Sequence, residues 1–231
     1  KETLLIMSAD RDAIFLDILT REDEFACSIK DFVDCFIKPI YIRDTPFKRS
    51  VADDPAIAAT FNSLVDIHTA CVSFVDSLKN ADTGSEIADA YIQYSPSLLI
   101  FSQFIAESSN ALTSLAYMGK PLTEYSMEVL PTGSLSIEAV LSLPEKHYLT
   151  YRPSFQNLVL NTTPNTPEHR NLIDAGKVWD DNCDQVDAKI EAERSKIELL
   201  LLQQSCKFSC SVVYAIKFYD ISICVCNSYV P

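Results

Sequence analysis

The sequence predicts an all-α protein built as an elongated bundle of long helices. Only 4 of the 231 residues are glycine, against roughly 7% in an average protein, so a turn-rich β-sandwich fits poorly. Hydrophobic residues make up 48% of the chain and charged residues 22%, which does not suit a disordered chain. Apolar residues also recur three and four positions apart over long stretches, as they do along one face of an α-helix.

The apolar pattern over residues 4–40 predicts a first helix. We expect Pro39 to end this helix, because proline lacks the N–H group that a continuing helix needs. Charged residues separate apolar residues that share one helical face. These apolar residues are Ile14, Ile18, Phe25, Ile29, Phe32, Val33 and Phe36. Residues 43–54 predict a loop, and Asp53 or Asp54 at its end is suited to cap the next helix.

A second helix is predicted over residues 55–78, with Pro55 in its first turn, where a missing N–H group does no harm. A turn that contains Gly84 is expected to close this helix. A third helical segment covers residues 86–112. We expect it to be kinked near Pro96, which removes a backbone donor.

Proline and glycine also divide the next part of the chain. Residues 116–133 predict a short helix between turns, and residues 134–160 predict a helix bent by Pro144 and Pro153. The segment 161–167, which reads N-T-T-P-N-T-P, is a break.

A last long helix is predicted from Glu168 to about Gln204, with acids and bases three and four residues apart on an exposed face. The remaining segment, 205–231, is rich in Cys, Ser, Val and Ile, and it predicts either a strand or a poorly specified tail.

The net charge is −13, which excludes some classes of partner. Binding to nucleic acid or to an anionic membrane surface requires a surplus of Lys and Arg, so a protein partner or a small ligand is expected. No apolar run reaches about 18 residues, and the N-terminus lacks the pattern of a signal peptide. The chain begins with Lys1, so we expect a segment of a longer cytoplasmic protein, with flanking domains.

The eight cysteines predict neither disulfides nor a metal site in a cytoplasmic chain. Four are isolated on predicted helices and are expected to act as small hydrophobic residues. Cys206, Cys210, Cys224 and Cys226 lie in the tail with a spacing that no common zinc module uses. We expect no metal and no cofactor.

Residues 17–40 carry a spaced pattern of acids, apolar residues and a closing proline. The pattern consists of Asp17-Ile18-Leu19, Arg21-Glu22, Phe25, Ile29, Phe36 and Pro39-Ile40. It resembles, without a gap over 24 positions, the first conserved region of the Dbl homology (DH, or RhoGEF) domain, the guanine-nucleotide exchange module for Rho-family GTPases. The resemblance covers roughly residues 8–203, including the run from Phe61 through His68 to Leu78, and it implies a domain over residues 8–204. Most members of the family continue into a pleckstrin homology domain, and the segment 205–231 is too short to be a complete one.

A third region of the family is matched by Pro144-Glu145-Lys146-His147-Tyr148-Leu149-Thr150-Tyr151 and by the break at Thr163-Pro164. The apolar frame is kept, but the polar residues inside it differ. Lys146-His147 stands where the family has Gln-Arg, and Thr150 stands where it has a basic residue.

The resemblance implies a domain that binds a Rho-family small GTPase at its switch regions and promotes GDP release. Asp17 matches the family's switch I glutamate, and Asp187 matches the asparagine that contacts switch II near the magnesium site. These two are the implied catalytic residues. Further implied GTPase-binding residues are Glu22, Lys146, His147, Thr150, Glu191 and Arg194.

Other interpretations of the same residues remain open. An exchange-inactive DH-fold scaffold for protein–protein interaction is the main alternative, because the family's polar contact residues have changed. Asp17 and Asp187 also fit ordinary solvated acids, and Glu22 fits a partner one turn away on its own helix. His147 fits a satisfied, partly buried imidazole, while Trp179 is expected to pack in the core.

Overall fold

The computed structural model describes the backbone of residues 2–42, 45, 47–207, 216–218 and 221–223. In these residues the chain forms eight α-helices, and the predicted fold class is confirmed. The helices are α1 (Glu2–Asp31), α2 (Lys38–Ile42), α3 (Lys48–Asp53), α4 (Pro55–Lys79), α5 (Gly84–Tyr94), α6 (Leu98–Val129), α7 (Ile137–Leu160) and α8 (Pro167–Lys207).

The chain divides into two compact units, Lys1–Ile190 and Glu191–Pro231. The first unit contains α1 to α7 and the part of α8 up to Ile190, and it holds the hydrophobic core. In the second unit, β1 (Ile216–Phe218) pairs antiparallel with β2 (Ile221–Ile223). The domain limits predicted at 8–204 and 205–231 stay predictions.

The prediction that Pro39 ends the first helix is wrong. A π-helical turn, Phe32–Ile37, follows α1, and the N–H of Lys38 donates to the carbonyl of Val33, five residues back. This wider turn shifts the hydrogen-bond register just before the proline, which has no N–H to place. The helical backbone therefore continues through Pro39 to Ile42.

The predicted loop over residues 43–54 also needs correction, because Lys48–Asp53 forms α3. Residues 43, 44 and 46 lie outside the described residues. Asp54 is extended and caps α4, since its Oδ1 accepts from the N–H groups of Ala56 at 2.9 Å and Ile57 at 3.1 Å. The predicted cap ahead of Pro55 is thus confirmed at Asp54.

Gly84 begins α5 and does not close α4. Thr83 caps α5 through a reciprocal capping box: its Oγ1 accepts from the N–H of Glu86, and Glu86 Oε2 accepts from the N–H of Thr83 at 2.8 Å. The kink predicted near Pro96 is confirmed as a 3₁₀ turn, Ser95–Ser97, between α5 and α6.

Close contact with α8 explains why glycine stands at position 84. A Cβ atom there would lie 2.9 Å from Glu168 Cβ, closer than side chains tolerate. Glu168 also accepts from Arg11 Nη1 at 2.8 Å. This contact joins the beginnings of α5 and α8 to α1.

The short helix predicted over residues 116–133 is present as the second half of α6, which runs to Val129 and is separated from the first half by a kink. Gly119 adopts φ 60° and ψ −148° two residues before Pro121 and makes a kink there, a conformation that glycine adopts without strain. The next helix, α7, is continuous through Pro144 and Pro153. In α8, the helical backbone extends three residues beyond the predicted Gln204 to Lys207.

The core of the first unit centres on Trp179 of α8, which is fully buried. Its ring lies 4.8 Å from Tyr91, 5.5 Å from Tyr151 and 6.0 Å from Phe155. The prediction that Trp179 packs in the core is confirmed. Among the described residues, no helix has the length and apolar content needed to span a bilayer.

The tail prediction is met in part, because β1 and β2 are strands. Cys206 lies within α8, whereas Cys210, Cys224 and Cys226 lie outside the described residues. Among the cysteines of the first unit, Cys71 and Cys183 are buried and Cys27 is exposed.

Asp54→Ala should lower the free energy of unfolding by about 1 kcal/mol, the usual cost of losing an N-cap. A hydrogen bond from Ser114 is the largest cause that lowers the pKa of Asp54, and the two backbone donors add to it. A lowered pKa in the folded state means that the contribution is present above the unfolded pKa of about 3.9 and is lost as pH falls through the folded pKa.

Urea unfolding at pH 7 and near pH 3 measures both effects, with exposed Asp53→Ala as the matched control. A difference between wild type and Asp54→Ala that does not shrink at the lower pH would contradict this assignment.

Candidate functional site

The Asp17 side chain lies on the outer face of α1. The helix turns Ile18 and Glu22 inward, whereas the side chain of Asp17 is 76% exposed. Its Oδ2 lies 3.8 Å from Arg21 Nη2, one turn away. An exposed ion pair at this distance restrains the carboxylate only weakly, so Asp17 is accessible to a partner.

Glu22 and His147 form a buried pair between α1 and α7. His147 Nε2 lies 2.9 Å from Glu22 Oε2, and only 2% of Glu22 and 7% of His147 are exposed. The imidazole also stacks on Phe25 with ring centroids 3.8 Å apart. Both polar groups therefore point into the bundle, and in this conformation neither is accessible to a partner.

The pair belongs to a buried hydrogen-bonded network that joins four helices. Tyr151 of α7 donates to Glu22 Oε2 at 3.3 Å, and its hydroxyl lies 3.0 Å from that of Tyr94 on α5. Cys71 of α4 lies 3.3 Å from the Tyr94 hydroxyl. Burial raises the pKa of both tyrosines well above the ordinary value, so their hydroxyls stay protonated and act as donors.

Lys146 and Thr150 lie one turn apart on the outer side of α7. Lys146 is exposed and its Nζ donates to Ser142 Oγ at 3.2 Å. Thr150 is half-buried and donates to the carbonyl of His147 at 2.8 Å. Leu149, on the same face, is 67% exposed. This face presents a cation and an apolar side chain beside the buried network.

Asp187 lies at the edge of the inner face of α8. Cys183 and Val186 are buried, whereas the Asp187 side chain is 57% exposed. Its Oδ1 accepts from the hydroxyl of Tyr148 on α7 at 2.7 Å. Burial, and then the hydrogen bond to Asp187, raises the pKa of Tyr148, which keeps the hydroxyl as a donor.

Arg152 of α7 faces three aspartates that recur one turn apart on α8. Its Nη2 lies 2.7 Å from Asp184 Oδ1 and 3.4 Å from Asp187 Oδ2. Its Nη1 lies 3.9 Å from Asp180 Oδ1. The hydrogen bond to Asp184 is the main cause that raises the pKa of Arg152, so the guanidinium is charged and partly neutralises this acidic face.

Glu191 and Arg194 belong to the second unit, where both side chains are exposed. Within the first unit, the structure joins Glu22, His147 and Thr150 directly around α7. It joins Asp187 to the same helix through Tyr148. The roles of all these residues in binding a GTPase stay predictions.

Sequence reasoning missed Tyr148 and Arg152 as parts of the site. The available signal was the spacing of Asp180, Asp184 and Asp187, which places three acids on one helical face. Such a face favours a nearby cation, but only the packing of α7 against α8 shows that Arg152 supplies it.

Glu22→Ala should lower the free energy of unfolding by about 3 kcal/mol, because it leaves a buried imidazole and a buried tyrosine hydroxyl without their shared acceptor. Exposed Glu24→Ala is the matched control on the same helix and should stay within about 0.5 kcal/mol of wild type. Chemical denaturation followed by circular dichroism measures both, and equal losses would contradict the buried pair.

Cys71 should resist alkylation in the folded protein, because burial raises the pKa of its thiol to about 12 and the thiolate is the nucleophile. Exposed Cys27 is the internal control. Pulsed iodoacetamide labelling at pH 8 followed by peptide mass spectrometry should modify Cys27 and spare Cys71 until denaturant is added. Equal labelling of the two without denaturant would contradict the buried network.

Comparison with known proteins identifies the fold. The structure is similar to that of the Vav1 exchange factor (19% identity, TM-score 0.66), over 94% of this chain and 56% of that chain. It is similar to the linker-DH/PH domains of p115-RhoGEF (17% identity, TM-score 0.67), over 84% of this chain and 60% of that chain. It is also similar to the DH/PH domains of PDZ-RhoGEF solved in complex with GTPγS-activated RhoA (14% identity, TM-score 0.69), over 84% of this chain and 57% of that chain.

This chain thus spans somewhat more than half of each of these solved chains. No curated protein matched the sequence. The family model for the RhoGEF domain matches residues 14–187, which contain both Asp17 and Asp187 and end three residues before the limit of the first compact unit. The chain belongs to the RhoGEF domain family.

Proposed function

We propose that this chain is a guanine-nucleotide exchange factor domain that binds a Rho-family small GTPase at its switch regions and promotes GDP release. Its membership of the RhoGEF family supports the proposal, as does its similarity to a structure in which PDZ-RhoGEF is bound to activated RhoA.

The observation that carries the proposal is the accessibility of Asp17 and Asp187. These acids stand at the two positions where the family resemblance places the switch I and switch II contacts. More than half of each side chain is exposed, although neighbouring positions on both helices are buried. Each carboxylate can therefore accept hydrogen bonds from a partner without any rearrangement of the bundle.

Exchange of this kind needs no covalent chemistry. A protein that binds the nucleotide-free GTPase more tightly than the loaded form must weaken nucleotide binding by the same factor. Phosphate and Mg²⁺ normally order the switch loops. In the proposed complex, Asp17 holds switch I and Asp187 holds switch II in an arrangement that competes with the metal.

An exchange-inactive scaffold is the second candidate, and specific substitutions favour it. Asp17 is one methylene shorter than the family's glutamate, and a displacement of about 1 Å can cost about 10²-fold in a positioned site. His147, which replaces an arginine, points inward to Glu22. A scaffold would bind the GTPase, or another partner, without accelerating release.

Release of a fluorescent guanine nucleotide from a panel of Rho-family GTPases distinguishes the two candidates. Exchange activity predicts acceleration that rises with the concentration of this protein and saturates for at least one GTPase. Binding of the nucleotide-free GTPases is measured in parallel by light scattering. Binding without acceleration would support the scaffold, and neither effect from a folded protein would overturn both GTPase-based proposals.

Asp17→Ala and Asp187→Ala should each reduce the accelerated rate roughly ten- to a hundredfold, because each removes a hydrogen bond to a charged group. Asp89→Ala is the matched control, since this exposed acid lies on α5 and is not one of the assigned contacts. All three variants should keep the wild-type circular dichroism spectrum. Equal rates for the control and the two site variants would rule out the assigned contacts.

A further inference from the structure

We infer that Tyr148 and Arg152 are positioning residues that hold the Asp187 carboxylate in the orientation needed for its switch II contact; this inference rests on the proposed function. Neither residue was singled out by the sequence or by the resemblance as part of the site. Both act through Asp187 and neither is assigned a contact to the GTPase.

The hydrogen bonds to the Asp187 carboxylate support this positioning role. Each of its oxygens has a separate neighbour on α7: Tyr148 donates to Oδ1 at 2.7 Å, and Arg152 Nη2 lies 3.4 Å from Oδ2. An exposed aspartate normally turns freely about its side-chain bonds. Neighbours on both oxygens restrict that rotation and leave the exposed side of Asp187 with a defined direction.

The two neighbours are themselves held in place. The Tyr148 ring is buried and packs 5.9 Å from Phe101 and 6.4 Å from Tyr151. Arg152 is anchored by its shorter contact to Asp184 at 2.7 Å. The restraint on Asp187 therefore comes from groups fixed by packing and by a second ion pair, as a positioned site requires.

Arg152 also determines which partner groups Asp187 attracts. A carboxylate accepts hydrogen bonds and cannot donate them, unlike the asparagine that it replaces. A guanidinium nearby reduces the repulsion that the carboxylate would exert on nucleotide phosphates. Asp187 is thereby suited to accept a hydrogen bond from a backbone N–H, a hydroxyl or a cationic side chain on switch II. We therefore expect hydrogen-bond donors on the partner surface.

A double-mutant cycle on exchange tests the inference. Tyr148→Phe removes the hydroxyl and keeps the ring, and it should lower the accelerated rate about tenfold in the wild-type background. In the Asp187→Ala background the same change should alter the rate less than twofold, because the group it positions is gone. A merely structural role for Tyr148 would lower the rate equally in both backgrounds.

Arg152 is tested by rescue. Arg152→Gln should lower the rate about tenfold, the cost of losing a hydrogen bond to a charged group, and Arg152→Lys, which keeps the charge, should recover part of the loss. Arg170→Gln is the matched control, because Arg170 is exposed at the beginning of α8, and it should leave the rate unchanged. An equal loss in Arg152→Gln and Arg152→Lys, with both variants folded, would overturn the role assigned to the charge.

The outcomes separate this inference from the proposed function. Exchange by the wild type with additive effects of Tyr148→Phe and Asp187→Ala would overturn the inference and leave the function intact. If the wild type binds a nucleotide-free GTPase without releasing nucleotide, the cycle is measured on that affinity and the same criterion applies. A folded wild type that neither binds nor accelerates any GTPase of the panel would overturn both.

Discussion

The buried carboxylate of Glu22 constrains how α1 and α7 can pack. A carboxylate out of water is stable only when hydrogen-bond donors surround it, and His147 and Tyr151 take these positions at 2.9 Å and 3.3 Å from Oε2. Because Phe25 contacts His147 while Glu22 contacts Tyr151, the two helices run in opposite directions. A slip of one residue would leave the carboxylate without these donors, so the pair specifies the register as well as the contact.

In this register, α7 contributes side chains to three different surfaces. His147 and Tyr151, one turn apart, face the buried network. Tyr148 and Arg152, also one turn apart, face α8 and its aspartates. The third side carries Lys146, Leu149 and Thr150. The 3.6-residue period of the helix thus links the stability of the core to the orientation of Asp187 through a single element.

Much of the fold was predictable because helix periodicity and capping are local signals. Asp54 and Pro96 are examples, since a cap acts within three residues and a proline acts on the adjacent turn. Pro39 misled the prediction because a π-helical turn before it changes the hydrogen-bond register, which no composition rule captures. Gly119, in contrast, does interrupt α6 with a kink, and the backbone is helical before and after it.

Less of the candidate site could be predicted from the sequence. The resemblance supplied the positions of Asp17 and Asp187, but residue type alone could not decide whether Glu22 is a surface contact or an internal partner. The structure pairs Glu22 with His147, 125 residues along the chain. Arg152 and Asp187 likewise meet only through the packing of α7 on α8. Pairings of this kind follow from tertiary register, which a single sequence does not specify.

The substitutions at the family's contact positions change the chemistry of the proposed interface as a set. With His147 turned inward and Thr150 bonded to the backbone, the predicted contacts of the first unit that keep an exposed polar group are the acceptors Asp17 and Asp187 and the ammonium of Lys146. An interface built on carboxylates needs donors on its partner and weakens as salt screens them, which agrees with a chain of net charge −13. Because Arg152 lies 3.4 Å from Asp187, this carboxylate is better suited to binding switch donors than to repelling phosphate. In the proposed complex, the domain would therefore displace the nucleotide by rearranging the switch loops.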